Sequence, residues 1–399
     1  MKRNIYLLFA LIVGACMLLS ACSQNQTGGK NSENNGEGND VETIVNIGFS
    51  GPLSGPAASY GEKTLNGLTM AVEEINKTGF EVDGKKYKLN LVSLDDKYLP
   101  NETASNAQRL VQEHKTPIIF TPHSGGIMAL QVFNEKDNFI IGAYSSEPTI
   151  TENGNTLTVR IPPNYEGYIE PFTKYSMERF GKKLAAIPPV TQYGQDWAKV
   201  LLPHWKESGG EVVFESSVDF SKDTDFFTIL TNALEKDPDV LFIGGPSEPT
   251  GKLAKQAREL GFEGGFIVMD QAKLEEMKEI TGGTYEPLEG AIGTIPLVNA
   301  GYPGTDQFVE KYREKYNIDP GAEAGFHYMC VYIFVEAMKA AKNVDDAKEI
   351  QAHIQDALDI LPDDKKVYNI ESIDKNGGFN IPVRVAAIEN GEIIYIEEN

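Results

Sequence analysis

The chain has 399 residues, with 36 Lys and Arg against 58 Asp and Glu, and a formal net charge of −22 at pH 7. A surface this acidic argues against binding to nucleic acid or to anionic lipid, since both carry negative charge. The length is enough for two domains with a substantial core. Beyond the N-terminus, no apolar run is long enough to predict a membrane span.

The N-terminus has the pattern of a lipoprotein signal peptide. Lys2 and Arg3 precede an apolar stretch at 5–19 that is too short to be a stable membrane span. The tetrapeptide LSAC at 19–22 follows, and it resembles the lipobox in which the cysteine becomes the lipidated N-terminus. We therefore predict cleavage after residue 21 and a lipid on Cys22, with the protein held on the extracytoplasmic face of the cell membrane. An ordinary secretory signal is the alternative.

The segment that follows has the composition of a flexible tether. Residues 23–40 contain no apolar side chain and are rich in Asn, Gly and Ser, so they have nothing to bury. We predict that residues 22–42 form the lipidated cysteine and a disordered tether. With Cys16 removed and Cys22 lipidated, Cys330 has no partner for an internal disulfide, and its apolar surroundings predict a buried, unreactive thiol.

The rest of the chain alternates between predicted strands and helices. Short apolar, β-branched runs predict strands, and apolar residues at helical spacing predict helices. The predicted strands are 44–49, 87–94, 117–121, 139–142, 184–187, 211–217, 240–243 and 266–269. Helices are predicted between them, including 197–206, 226–234, 249–260 and 272–280, and the series restarts after Pro162-Pro163.

Apolar strands linked by helices indicate parallel sheets that are covered on both faces. Two such series predict an α/β fold with two doubly wound lobes. Apolar strands end in turn-forming residues near 160–163, 290–296 and 374–378, so we expect the chain to cross between lobes there. The predicted lobes are 43–161 plus 294–374, and 162–293 plus 375–399. In such sheets the ligand binds beyond the carboxyl ends of the strands.

Several segments resemble one protein family in their order and spacing. They include GPLSGPAA at 51–58, AVEEIN at 71–76, QYG at 192–194, TDF at 224–226 and QARELG at 256–261. Together they are similar to the leucine/isoleucine/valine-binding proteins, the substrate-binding subunits of ABC importers with the type I periplasmic-binding fold. The resemblance covers residues 43–399.

The resemblance implies a ligand site on the loops that follow the strands. Its carboxylate-binding loops correspond to Ser124-Gly125 and Ser145-Ser146, where hydroxyl and N–H groups suit an anion. Ser124 as a simple helix cap, and the other two serines as plain loop residues, are the alternatives. Tyr60 corresponds to an aromatic residue at the cleft edge, and Tyr193 to one that covers the ligand from the second lobe.

Asp270 stands where the amino-acid-binding members of this family place an acid against the ligand's α-ammonium. A buried carboxylate is costly unless paired, and a bound cation would stabilise it. The alternative is a helix cap, because a predicted helix follows. One segment departs from the family: the branched-chain binders have an aromatic residue after the Gly-Gly pair, and this chain has Pro246, Ser247 and Glu248. Ser247 is included in the predicted site, and leucine is not assumed to be the ligand.

Catalysis has little support in the sequence. The five histidines are scattered, and no HExxH, CxxC, GxSxG, Walker or GxGxxG motif is present. We predict no enzyme activity, cofactor or metal. The expected function is capture of an amino acid or similar small zwitterion for an ABC permease and ATPase complex, by closure of two lobes. A sensory module of the same fold that signals to a membrane receptor, or a binder of another carboxylate, is the alternative.

Overall fold

The computed structural model describes residues 43–396. The predicted signal peptide, Cys22 and the tether lie outside the described residues, and so do residues 397–399. Within 43–396, no helix combines the length and the apolar character needed to cross a bilayer.

The first third of the described chain supplies the strands of a six-stranded sheet. Its strands are β1 (Thr43–Gly51), β2 (Phe80–Val82), β3 (Lys85–Asp95), β4 (Ile118–Thr121), β5 (Ile140–Ala143) and β6 (Thr158–Arg160). They lie in the order β2-β3-β1-β4-β5-β6, and every pair is parallel except β2 with β3. The four predicted strands 44–49, 87–94, 117–121 and 139–142 are confirmed, with ends that differ by at most two residues.

Helices cover both faces of this first sheet. They are α1 (Ala58–Asn76), α2 (Pro100–His114), α3 (Ser124–Gln131), α4 (Asn134–Asp137) and α5 (Thr149–Glu152). On one face, Leu68, Ala71 and Ile75 of α1 join a large buried cluster with β1. On the other face, Leu110 of α2 and Ile127 of α3 pack in a second cluster. Burial on both faces explains why these strands are apolar nearly throughout.

The second sheet begins after the proline pair. Its first five strands are β7 (Lys183–Ala186), β8 (Glu211–Glu215), β9 (Val240–Ile243), β10 (Gly265–Val268) and β11 (Ala291–Thr294). The helices between them are α6 (Glu166–Arg179), α7 (Gln192–Glu207), α8 (Phe227–Leu234), α9 (Ser247–Glu259) and α10 (Leu274–Thr281), with a 3-10 turn at Glu286–Leu288. Two buried clusters again lie on the two faces.

The chain then returns to the first sheet before ending on the second. The returning part has α11 (Thr305–Tyr316), α12 (Ala322–Ala341), α13 (Ala347–Ala352), α14 (Ile354–Ile360), 3-10 turns at Leu297–Asn299 and Asp363–Lys365, and the hairpin strands β12 (Ser372–Ile373) and β13 (Phe379–Asn380). Helix α12 carries the buried Cys330, as predicted. It packs so closely on α1 that a Cβ at Gly67 would lie 2.1 Å from the carbonyl oxygen of Ala324.

The last two strands close the second sheet. They are β14 (Val385–Glu389) and β15 (Glu392–Ile396), and the sheet order is β15-β14-β11-β10-β9-β7-β8. Both run antiparallel to their neighbours, which the sequence analysis did not predict. Asn390 and Gly391 join them, both with positive φ (55° and 73°), as a two-residue hairpin turn requires.

The predicted α/β fold with doubly wound sheets is confirmed. The chain passes from one sheet to the other after β6, after β11 and after β13. The division into two lobes, with the limits given above, stays a prediction, as does hinge motion at the three crossings.

Candidate ligand-binding site

A cavity lies where the carboxyl ends of strands from both sheets meet. Six of the eight predicted ligand-binding residues line it: Tyr60, Ser124, Ser145, Ser146, Tyr193 and Asp270. They come from α1, from the loops after β5 and β10, and from the first turns of α3 and α7. The rule that ligands bind beyond the carboxyl ends of parallel strands therefore locates this cavity. That these residues bind a ligand stays a prediction.

One side of the cavity is suited to an anion. Ser124 is the first residue of α3, and its hydroxyl lies 2.7 Å from the hydroxyl of Ser145. The partial positive charge of a helix N-terminus favours a negative group. Ser124 does not cap α3, because the cap is His123, whose Nδ1 accepts from the N–H of Gly126 at 3.0 Å. The capping role considered for Ser124 is thus filled by its neighbour.

His123 is held in place away from Ser124. Its Nε2 lies 3.0 Å from Oδ2 of the buried Asp96 and 3.2 Å from the hydroxyl of Thr103. The ring of Tyr98 stacks on the imidazole at 4.7 Å between ring centres. The imidazole is therefore occupied by Asp96, Thr103 and the backbone of α3, where it orients the start of this helix.

Another part of the cavity wall carries a carboxylate. The hydroxyl of Tyr193 donates a hydrogen bond to Oδ1 of Asp270, and Trp197 Nε1 donates to the same oxygen at 3.1 Å. Tyr193 Oη also lies 2.8 Å from the hydroxyl of Ser146, in the loop after β5. Both donors act on Oδ1 of Asp270, so neither of them satisfies Oδ2.

Asp270 is not a helix cap. The following helix, α10, begins at Leu274, and its N-terminal cap position is Lys273. Asp270 lies three residues earlier and is 8% exposed. Within residues 43–396, its carboxylate therefore satisfies no backbone N–H group of a helix, and the capping alternative is wrong.

Three tyrosines add neutral hydroxyl groups to the cavity wall. Tyr60 donates to the carbonyl of Pro122 at 2.9 Å, and its ring lies 6.4 Å from that of Tyr144. Burial raises the pKa of Tyr98 to about 12 and holds the pKa values of Tyr60 and Tyr144 well above 10. All three hydroxyls are therefore protonated at neutral pH.

Two predicted residues do not line this cavity. A Cβ on Gly125 would meet Pro100 at 2.9 Å, so this glycine faces α2. Ser247, the first residue of α9, accepts a hydrogen bond from the N–H of Lys273 at 3.0 Å and supports the loop that carries Asp270. The segment 244–248 therefore contributes through the position of that loop.

Four polar side chains are among the lining residues that the sequence analysis missed. Tyr98, Tyr144, Gln271 and Lys273 all line the cavity. Three of them stand within three residues of a predicted position, so a search along the predicted loops would have included them. Tyr98 has no such signal, because it follows β3 in a left-handed turn with φ 65°.

Side chains from the two sheets contact each other directly around the cavity. Gln271 Nε2 donates to the hydroxyl of Tyr98 at 2.8 Å. Lys63 on α1 forms a 2.6 Å ion pair with Glu276 on α10. Burial opposes ionisation of Glu276, but the charge and hydrogen bond of Lys63, with smaller contributions from Ser247 and Lys273, together lower the pKa of that carboxyl. These contacts hold the two sides of the cleft together.

A second carboxyl group, that of Glu323, adjoins this ion pair. A Cβ on Gly321 would lie 2.4 Å from Glu323 Oε1 and 2.7 Å from Glu276 Oε1, so the two carboxyl groups are neighbours. Burial and, after it, the charge of Glu276 raise the pKa of Glu323 to about 8. Glu323 is therefore largely protonated at neutral pH. Within residues 43–396, no group of His, Cys, Asp and Glu side chains is arranged to hold a metal ion.

Comparison with known proteins places this architecture. The family model described as periplasmic binding protein matches residues 44–392. An amino acid binding protein of Pseudomonas aeruginosa is 28% identical over 310 residues, which cover 76% of this chain and 80% of that protein. The Leu/Ile/Val-binding protein of Escherichia coli strain K12 is 24% identical over 314 residues, 78% of this chain and 83% of its own length.

Solved structures show the same arrangement. A leucine binding protein from Thermotoga maritima has a TM-score of 0.75 at 26% identity, covering 88% of this chain and 98% of its own. A branched-chain amino acid transporter substrate binding protein from Streptococcus pneumoniae, solved with isoleucine, has a TM-score of 0.73 at 25% identity and the same coverage.

Two doubly wound sheets with a cavity between their strand ends define a solute-binding protein of the type I periplasmic-binding fold. The chain belongs to the periplasmic binding protein family. It is accordingly a binding protein and not an enzyme.

Proposed function

We propose that this protein binds an amino acid, or a similar small zwitterion, between its two sheets. The observation that carries the proposal is the pairing of opposite features in one cavity. Asp270 supplies a buried carboxylate for an ammonium, while Ser124, Ser145 and the start of α3 suit a carboxylate. Relatives named for amino acids support the same ligand class.

A thermal-shift screen against the amino acids, their deaminated analogues and short acids tests the ligand class. A ligand at a hundred times its dissociation constant adds roughly 2.7 kcal/mol to the free energy of unfolding. We expect at least one amino acid to raise the melting temperature, and its deaminated analogue to raise it less. Stabilisation by simple carboxylates alone would overturn the zwitterion proposal.

We further propose that ligand binding closes two lobes about the three chain crossings. The lobes are 43–161 plus 294–374 and 162–293 plus 375–399. Contacts such as Tyr98 with Gln271 and Lys63 with Glu276 join the two sides, and they would form only when the cleft is closed. Small-angle scattering should therefore show compaction on ligand addition. An unchanged radius of gyration at saturating ligand would refute closure.

The proposed role is delivery of the ligand to an ABC permease and ATPase from a lipid anchor at Cys22. The tetrapeptide LSAC at 19–22 supports the anchor, and the family supports the importer. Cys22→Ser should release the protein into the medium or leave it unprocessed. A variant that is processed and membrane-bound like the wild type would contradict the anchor. The membrane partner distinguishes import from a sensory role that uses the same cavity. Co-purification with a permease supports import, and co-purification with a receptor kinase supports sensing.

A further inference from the structure

A second cavity adjoins the first and widens the site. Tyr144, Pro162, Asp270 and Lys273 line both cavities, so the two are continuous. A ligand whose ammonium contacts Asp270 would therefore direct its side chain into the second cavity. This step rests on the function proposed above.

The walls of the second cavity are largely aromatic and aliphatic. They include the rings of Tyr144, Tyr168, Tyr302, Phe326 and Tyr368. Phe326 and Tyr368 stack face to face, with 3.8 Å between ring centres and 3° between ring planes. Walls of this kind favour the apolar body of a side chain.

Two residues that line this cavity carry a hydroxyl group with no hydrogen-bond partner in the described part of the chain. Among the described residues, nothing donates to or accepts from the Oη of Tyr368 or the Oγ1 of Thr294, although the two residues are 7% and 8% exposed. Buried hydroxyl groups are almost always paired, because an unpaired one loses its bonds to water. The two groups therefore point to a polar atom of a ligand.

Two cationic side chains line the same cavity. Arg384 donates from Nη1 to the carbonyl of Ala300 at 2.6 Å, and no carboxylate within the described range lies at ion-pair distance from its guanidinium. Lys273 donates to the backbone carbonyl of Asp270. Guanidinium and ammonium groups only donate hydrogen bonds, and hydroxyl groups can donate. The cavity is thus rich in donors.

We propose that the ligand is an amino acid whose side chain ends in a hydrogen-bond acceptor, a carboxylate or amide oxygen, which Thr294 and Tyr368 recognise. A wholly aliphatic side chain would leave both hydroxyl groups buried and unpaired. A site that forms hydrogen bonds with a polar group of its ligand discriminates strongly against analogues that lack this group, because the polar groups of the site are then left without partners.

Calorimetry with ligands matched in shape tests this inference. Leucine is compared with asparagine and aspartate, and methionine with glutamine and glutamate. In at least one set, we expect a polar member to bind at least about tenfold more tightly than its apolar partner. Tighter binding of the apolar member in both sets would overturn the inference but leave the proposed function standing. Failure of every amino acid to bind would overturn both.

Two variants test the named residues. Thr294→Val and Tyr368→Phe each remove one hydroxyl and keep the shape, so each should reduce the preference for the polar ligand by about tenfold, through weaker binding of the polar ligand, tighter binding of the apolar one, or both. Thr281→Val is the matched control, because its hydroxyl bonds the carbonyl of Lys278 away from the cavity. Unchanged preference in both variants, with melting temperatures like the control, would overturn the assignment.

A third variant separates the two acceptors. Arg384→Gln removes the guanidinium charge at the cavity. If the acceptor is a carboxylate, its affinity should fall at least about tenfold while the matched amide ligand is unaffected. If the substitution changes neither the affinity for the carboxylate ligand nor that for the amide ligand, the acceptor is assigned as an amide oxygen.

Discussion

The substitution Asp270→Asn tests the charge on which the proposed function depends. Asparagine keeps the size of the side chain and an oxygen that can accept from Tyr193 and Trp197, so the local hydrogen bonds survive. What is lost is the negative charge, at a position that is 8% exposed. Any change in ligand affinity therefore results from the lost charge and not from a rearrangement of the cavity wall.

The expected loss follows from burial of the pair. Removing one member of a buried, hydrogen-bonded charge pair costs about 2–5 kcal/mol, much of it because the other charge is left unpaired. Even the lower figure corresponds to roughly a thirtyfold fall in affinity for an amino acid. The deaminated analogue has no ammonium group that the substitution could leave unpaired, so its affinity should fall far less.

Calorimetry on both proteins with both ligands forms a double-mutant cycle. Asp239→Asn is the control, because this carboxylate accepts from the N–H of Lys183 at 2.8 Å outside the cavity, and it should leave both affinities unchanged. Equal losses for the amino acid and its deaminated analogue on Asp270→Asn would refute an ion pair between Asp270 and the ligand. The bound species would then be a carboxylate or a neutral solute.

Two further predictions concern the contacts beside the cavity. Lys63→Met removes the 2.6 Å ion pair that joins α1 to α10, so the binding free energy of the ligand should fall by about 1–3 kcal/mol and the compaction seen by small-angle scattering should weaken. The double variant Lys63→Met with Glu276→Gln should recover part of the loss, because it leaves no unpaired buried charge. An unchanged affinity in Lys63→Met would contradict a role of this ion pair in the closed cleft. Because burial and the charge of Glu276 raise the pKa of Glu323 to about 8, its contribution to stability is complete below pH 4.5 and is lost as pH rises toward 8. The free energy of unfolding, measured with denaturant, should therefore fall between pH 5 and 8, and this fall should be roughly 3 kcal/mol smaller in Glu323→Gln than in the wild type. The same dependence on pH in both proteins would count against a buried proton on Glu323.

The sequence by itself determined the alternation of strands and helices. Strands such as 240–243 were predicted with the observed limits, because a strand buried on both faces is apolar at every residue and this pattern is local. The antiparallel β14 and β15 were missed although Asn390-Gly391 is a strong hairpin signal. The signal for this hairpin is therefore local and present in the sequence.

The site was only partly determined in this way. The resemblance selected Ser146, Tyr193 and Asp270, yet it could not tell whether Asp270 faces a ligand or caps a helix. The structure excludes the cap, because α10 begins four residues later. Contacts between residues 47 and 77 positions apart, such as Ser146 with Tyr193 and Tyr193 with Asp270, have no periodic signal along the chain.

Only the tertiary structure decided which polar groups are left without partners. Thr294 and Tyr368 are ordinary residues in the sequence, 74 positions apart, and nothing around either marks its hydroxyl. Their unpaired state depends on burial and on the absence of a neighbouring donor or acceptor among the described residues. Both conditions arise when distant segments pack together, so local pattern specifies the elements of this protein while packing specifies the chemistry of its cleft.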